Sequence, residues 1–274
     1  MDITGWEYYN HAAIPTTAPH ISPDTKPIAD GTIWKMEGTP LLARWTTEFD
    51  CGYETNWWFV IREAPFIPEQ ISKKEMKSIC QALKKCYVKK IDFADYSEEI
   101  YECYCSAFSK YENADNMLPK DRFMEISKSE PDNVEYWGGF DVESNKLIGY
   151  ITAWVYEVYA ETRIAKFNPD FSKKRVSDAL YYTVLNYYLN DCSKKYISSG
   201  SRNINHKTNT QEYKIRRFGY RKAYCKLHIE YNPKVRIIMK IAYFFKDVLK
   251  KFDNITLIHQ INSLLKMEEL LKNN

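Results

Sequence analysis

A chain of 274 residues with 45% hydrophobic and 27% charged residues carries enough apolar material for one large domain or two small ones, and is neither fibrous nor disordered in composition. Its 39 Lys and Arg against 36 Asp and Glu leave a net charge of +3, too small to attract nucleic acid in bulk, so any anion site has to be local. No window approaches the ~18 uninterrupted apolar residues of a membrane span, and the opening MDITGWEYYNHAAIP lacks the basic start and apolar run of a secretory signal.

Pro15, Pro19, Pro23 and Pro27 punctuate the first thirty or so residues and predict an extended arm without helix. Trp6, Tyr8, Tyr9 and Ile21 predict that the arm packs across the domain, with His11 and His20 capping loops or edging a cleft. TIWKM, LLARWT and NWWFVIR then read as strands, the last with both faces covered because Trp57, Trp58 and Phe59 alternate. Ser72 with Glu75 forms a capping-box pattern for a helix over 72–85, with Met76, Ile79, Cys80 and Leu83 inward and a basic, solvated outer side.

From Tyr87 the elements come in a distinctive order. YVKKIDF is a strand, a helix starts near Ser97, and PKDRFMEISKS is a second, short helix. VEYWGGF, KLIGYITAWVYEV and ETRIAKF are three strands, and RVSDALYYTVLNYYLND is a helix with Val176, Leu180, Val184 and Tyr187 on one stripe. A short strand at Tyr196 and Ile197 leads to a polar elbow over 198–209, a helix ending at Arg217, the turn Phe218-Gly219-Tyr220 and a strand from Ala223. Beyond Pro233 the chain is helical, with Ile237, Ile238, Ile241, Phe244, Phe245 and Leu249 sharing space with Lys and Arg. Such basic amphipathic helices close over their own domain or a partner subunit, or lie on a membrane surface. The seven Cys form no CxxC pair, so free thiols, no metal and a reducing, cytoplasmic setting are expected.

The order β-α-α-β-β-β-α-β-α-β over 87–231 resembles the acyl-CoA N-acyltransferase (GNAT) fold, an α+β architecture with a mixed sheet. The resemblance also rests on the helix start FNPDFSKKRVSDAL and on RRFGY, which looks like that family's K-x-G-F segment. The family keeps glycines in the pyrophosphate loop where this chain has Arg175 and Ser177, and a general-acid tyrosine where it has Ile215, with Tyr213 two residues earlier. The first 86 residues resemble, more weakly, the first lobe of the Fem family, whose members carry two GNAT-like lobes and pass an aminoacyl group from tRNA to a cell-wall precursor. Three segments follow: a lobe at 1–86, a GNAT-like core at 87–232 and a helical extension at 233–274.

Transfer of an acyl group to an amine needs a carbonyl held by donors, a neutral amine and an exit for its proton. The resemblance implies that Ile164, Ala165, Lys166 and Phe167 line a splay in the sheet together with 196–199. Lys173, Lys174, Arg175 and Ser177 would hold the phosphates of acyl-CoA (acetyl-CoA), since three cations at the positive end of a helix call for an anion. In the elbow, His206 and Asn205, with Tyr213, are the candidate catalytic residues. Ser201, Asn203 and Asn209 are candidate acceptor-binding residues, with helix capping as the alternative for Asn209. The function expected is N-acyl transfer to a primary amine of a small molecule, amino sugar or peptide. Aminoacyl-tRNA is the second donor, ranked lower because +3 offers little attraction for tRNA. A non-catalytic binding or assembly module is the reading of another class.

Overall fold

The computed structural model describes residues 1–109, 117–203, 209–252 and 255–272. They divide into two compact units that interleave in sequence, one holding 1–59, 201–208 and 222–274, the other 60–200 and 209–221. These lines differ from the segments 1–86, 87–232 and 233–274, because strand pairing joins pieces remote in the chain.

In chain order the first unit supplies β1 (Trp6–Tyr9), β2 (Ala12–Pro15), the short helix α1 (Lys26–Ala29), β3 (Leu42–Thr47) and the start of β4 (Trp57–Glu63). The second supplies α2 (Lys73–Lys85), β5 (Cys86–Ile91), α3 (Phe93–Phe108), α4 (Lys120–Lys128), β6 (Val134–Asp141), β7 (Leu147–Val155), β8 (Tyr159–Phe167), α5 (Val176–Asn186), β9 (Tyr196–Ser201) and α6 (Thr210–Phe218). The chain then returns to the first unit with β10 (Arg221–Tyr231), α7 (Pro233–Phe244), α8 (Lys246–Leu249) and α9 (Thr256–Lys272).

In the first unit β1 pairs antiparallel with β2, β2 parallel with β3, and β3 antiparallel with β10, from Leu42 opposite Tyr231 to Thr47 opposite Lys226. Of the residues expected to pack the arm, Trp6 is buried against Ile33, Met36 and Ala43, whereas Tyr8, Tyr9 and Ile21 are exposed. It is not free of helix, however. Pro27 sits in the first turn of α1, where a missing N–H sacrifices no helical bond. TIWKM is a 3-10 turn rather than a strand: Gly31 enters it at a left-handed φ of 78°, and the Thr32 N–H donates to Asp30 Oδ1 at 2.9 Å, curling the chain around fully buried Ile33.

In the second unit the strand order is β9-β8-β7-β6-β5, antiparallel throughout except for the parallel β8–β9 pair. One face carries α3 and α4 through Ile100, Cys103, Tyr104 and Phe123 against Tyr136, Phe140, Leu147 and Tyr150. The other carries α5, which lies so close that a Cβ on Gly139 would stand 2.4 Å from Val176 Cγ2. Asp92, accepting from the Ala94 N–H, caps α3, which starts at Phe93, four residues before the expected Ser97. On α2, Ser72 caps as predicted, but the inward residues are Ser78, Ile79 and Ala82, and Cys80 and Leu83 are exposed. The Ser78 hydroxyl donates to Asp178 Oδ2 at 3.0 Å, an inward polar contact that hydrophobic spacing does not reveal. All seven cysteines are free thiols.

Candidate functional site

Strands β8 and β9 pair only from Tyr159 opposite Tyr196 to Glu161 opposite Ser198, and then diverge. Into the divergence α6 delivers the side chain of Lys214. Its Nζ stands 3.0 Å from Thr162 Oγ1 and 2.6 Å from Ser199 Oγ, and the ring of Tyr181 lies 4.6 Å away. The Thr162 hydroxyl donates to the Ser198 carbonyl at 3.3 Å, so toward Lys214 it acts as an acceptor. Lys214 is only 2% exposed and its hydrogen-bond partners are neutral hydroxyls. Burial therefore lowers its pKa from 10.5 to about 7, opposed weakly by the field of Glu161. A lysine that exchanges its proton near pH 7 and lies 2.6 Å from a half-buried serine hydroxyl has the geometry of a base beside a proton carrier. The nearby Tyr220 hydroxyl is buried and has no hydrogen-bond partner among the described residues.

A second feature is a cavity of about 400 Å³ lined by Lys74, Lys77, Arg175, Arg216 and Arg217 together with Glu75, Ser78 and Gln81. Arg217 is fixed in its wall, 3.0 Å from Glu75 and 2.7 Å from Asp178, and it also donates to Ser78 at 3.0 Å. Asp178, 3% exposed, further accepts from Tyr213. With Glu75 and Asp178 engaged, Lys74, Lys77 and Arg216 have no carboxylate partner among the described residues, so the cavity is positive. Arg175 donates to Ser78 and sits at φ 61°, the left-handed conformation that glycine adopts without strain.

A third feature is an apolar cavity of about 350 Å³ between β8 and the α3–α4 pair, bounded by Tyr104, Phe123, Tyr150, Ile164, Ala165 and Lys166. Burial raises the pKa of Glu130 at its edge, where the carboxylate accepts from the Tyr136 hydroxyl at 2.5 Å, and burial lowers that of Lys166.

The sequence-predicted residues distribute as follows. Ile164, Ala165 and Lys166 meet at the apolar cavity, and Phe167 packs instead edge-on against Tyr181. Lys173 and Lys174 end a 3-10 turn, Pro169–Lys174, rather than opening α5; Lys174 is held by Asp141 at 2.9 Å and Glu143 at 2.5 Å. Those carboxylates partner Lys174, and Arg175 alone of the three lines the basic cavity. Ser177, in the first turn of α5, lies 3.3 Å from the Tyr213 hydroxyl. Burial and the neighbouring Asp178 raise the Tyr213 pKa, which keeps it a neutral donor. Asn209 precedes α6 without a side-chain capping bond, while Ser201 and Asn203 belong to the first unit. Asn205 and His206 lie outside the described residues.

Sequence reasoning missed Lys214. The signal was present: Lys214 and Phe218 are four apart on α6 and both are buried, so the lysine shares the helix's apolar stripe. Among the described residues no cluster of His, Cys, Asp and Glu is placed to hold a metal, and no helix is long and apolar enough to cross a membrane.

No family model and no curated protein sequence matches the chain. Solved structures do. The C-terminal domain (DUF2156) of a putative lysylphosphatidylglycerol synthetase from Agrobacterium fabrum aligns over 88% of this chain and 84% of its own, at 10% identity and a TM-score of 0.53. L-PGS from Bacillus licheniformis aligns over 86% and 83%, at 9% identity and a TM-score of 0.51. FemX aligns over 80% and 83%, at 7% identity and a TM-score of 0.55. The chain has the mixed α/β fold of these proteins, a GNAT-like architecture with the Fem resemblance extending beyond the core.

Proposed function

We propose that this chain is a transferase that moves an aminoacyl group from a phosphate-rich donor, aminoacyl-tRNA, to a nucleophilic acceptor, with Lys214 handling the proton. The observation that carries this reading is the buried Lys214 and its Ser199 partner at the mouth of the β8–β9 divergence. The fold likeness to FemX and to lysylphosphatidylglycerol synthetase domains supports it as analogy. In the step envisaged, the acceptor nitrogen or oxygen attacks the ester carbonyl carbon and a new bond to that carbon forms. The ester C–O bond to the ribose breaks. The acceptor's proton passes through Ser199 to neutral Lys214, and Lys214 returns it to the departing ribose oxygen. The positive cavity of Lys74, Lys77, Arg175 and Arg216 is the candidate seat for donor phosphates, and the apolar cavity beside Ile164 and Lys166 for the acceptor.

An acyl-CoA donor and a primary amine of a small molecule, amino sugar or peptide form the second reading. It is favoured by the same basic cavity at the start of α5, and disfavoured by Lys214. A pantetheine arm threaded into the divergence would have to displace the Lys214 amine from Thr162 and Ser199. The two separate in one experiment. The purified chain is incubated with charged tRNA or with acetyl-CoA, each with amine, peptide and lipid acceptors, and products are read by mass spectrometry. Transfer from charged tRNA that Lys214→Met abolishes is expected. Transfer from acetyl-CoA alone would establish the second reading, and no transfer from either donor would leave a binding module.

A further inference from the structure

We infer that the outer face of α7 and α8 is a docking surface for an anionic lipid bilayer. A helix lying on a folded unit needs one apolar stripe, directed inward. In α7 that stripe exists: Val235, Met239, Ala242 and Tyr243 join the core of Leu42, Tyr231 and Leu265. The opposite face is apolar too. Ile237 is 65% exposed, Ile241 57% and Phe244 82%, and their i, i+4, i+7 spacing sets them in one line along the helix. Ile238, Phe245 and Val248 extend the surface into α8, and nothing among the described residues covers it. Large outward rings and β-branched chains in one contiguous patch mark an interaction surface rather than scattered exposure.

Charge selects the occupant. Between 234 and 251 there are six cations, Lys234, Arg236, Lys240, Lys246, Lys250 and Lys251, and one acid, Asp247. Arg236 pairs with Glu230, and Lys246 and Lys250 both reach Glu269 at 3.4 and 3.5 Å, which leaves Lys234, Lys240 and Lys251 without a carboxylate partner among the described residues. Lys234 and Lys240 flank the Ile237–Ile241–Phe244 line on the helix surface. A second copy of the chain laid against this face would oppose cations to cations. A bilayer bearing anionic headgroups instead takes the apolar line into its acyl boundary and leaves the lysine amines at the phosphates, their methylene stems lying along the apolar surface. This inference is independent of the transferase reading.

Flotation of the full chain with phosphatidylcholine vesicles, and with vesicles enriched in phosphatidylglycerol, tests it. The chain is expected to float with the anionic vesicles, less so at high salt, and poorly with neutral ones. The triple variant Ile237→Ser, Ile241→Ser, Phe244→Ser removes only exposed side chains and is expected to keep its circular dichroism spectrum and to lose at least ~10-fold in partitioning. Lys234→Ala with Lys240→Ala is expected to weaken binding to anionic vesicles and not to neutral ones. Absence of flotation, or flotation the triple variant retains, would overturn the inference. So would a concentration-dependent dimer in sedimentation velocity that the triple variant dissolves.

Discussion

Lys214→Met tests the central group of the site without reference to any substrate. In the folded chain the amine titrates at about 7, against 10.5 when exposed. Below pH 7 the amine is protonated in both folded and unfolded states, so its desolvation cost is present in full and does not vary with pH. Between pH 7 and 10.5 the unfolded chain holds one proton more than the folded one, so stability rises with pH by about 1.4 kcal/mol per unit. From pH 6 to pH 9 that amounts to about 3 kcal/mol, and it approaches 5 kcal/mol by pH 10.5. Methionine keeps most of the packing volume and cannot titrate, and every other group is common to both proteins. Urea unfolding at pH 6 and pH 9 isolates the effect: the parent is expected to gain about 3 kcal/mol on the variant across that interval. An equal difference between the two proteins at both pH values would show that Lys214 is charged and solvated at neutrality. The proton-transfer role built on it would then fall.

Arg217→Ala removes the cation from buried Asp178 and from Glu75 and is expected to destabilise by about 3 kcal/mol in the same assay; a loss below about 1 kcal/mol would show the network to be dispensable. Arg175→Gly is expected to be more stable than Arg175→Ala by about 1 kcal/mol, because both lose the Ser78 contact and only alanine retains strain at φ 61°; the reverse order would refute the left-handed conformation. Gly139→Ala places a Cβ 2.4 Å from Val176 and is expected to cost about 1–3 kcal/mol, and a neutral outcome would mean that α5 yields readily. Burial pushes the thiols of Cys86 up to about 11 and of Cys103 and Cys225 up to about 12, while Cys80 and Cys192 are exposed. An aromatic disulfide reagent at mild alkaline pH is therefore expected to modify Cys80 and Cys192 in the native protein and the other three only after unfolding. Rapid native labelling of Cys103 or Cys225 in mass-spectrometric peptide maps would contradict that burial.

Much of the core was legible in the sequence because its elements are long and locally punctuated. The run from β5 to β10 carries distinct strand and helix periods, Ser72 marks α2, and the turn expected at Phe218-Gly219-Tyr220 closes α6, with Gly219 in the left-handed conformation. Errors fell where one local signal is ambiguous. TIWKM alternates like a strand but is curled by Gly31 and Asp30, and the inward side of α2 includes a serine, Ser78, beside Ile79 and Ala82 where Cys80 and Leu83 were expected.

By itself, then, the sequence determined the order of elements and the backbone turns, since helix caps, glycine positions and hydrophobic period act within a few residues. It also supplied the Lys173-Lys174-Arg175 run and Lys214. Only the tertiary structure decided what those cations do. Lys174 is neutralised by Asp141 and Glu143, Arg175 lines a positive cavity with residues of α2 and α6, and Lys214 is enclosed among hydroxyls and rings. Charge, solvation and pKa depend on which groups from distant segments come within a few ångströms, and chain order does not fix those distances.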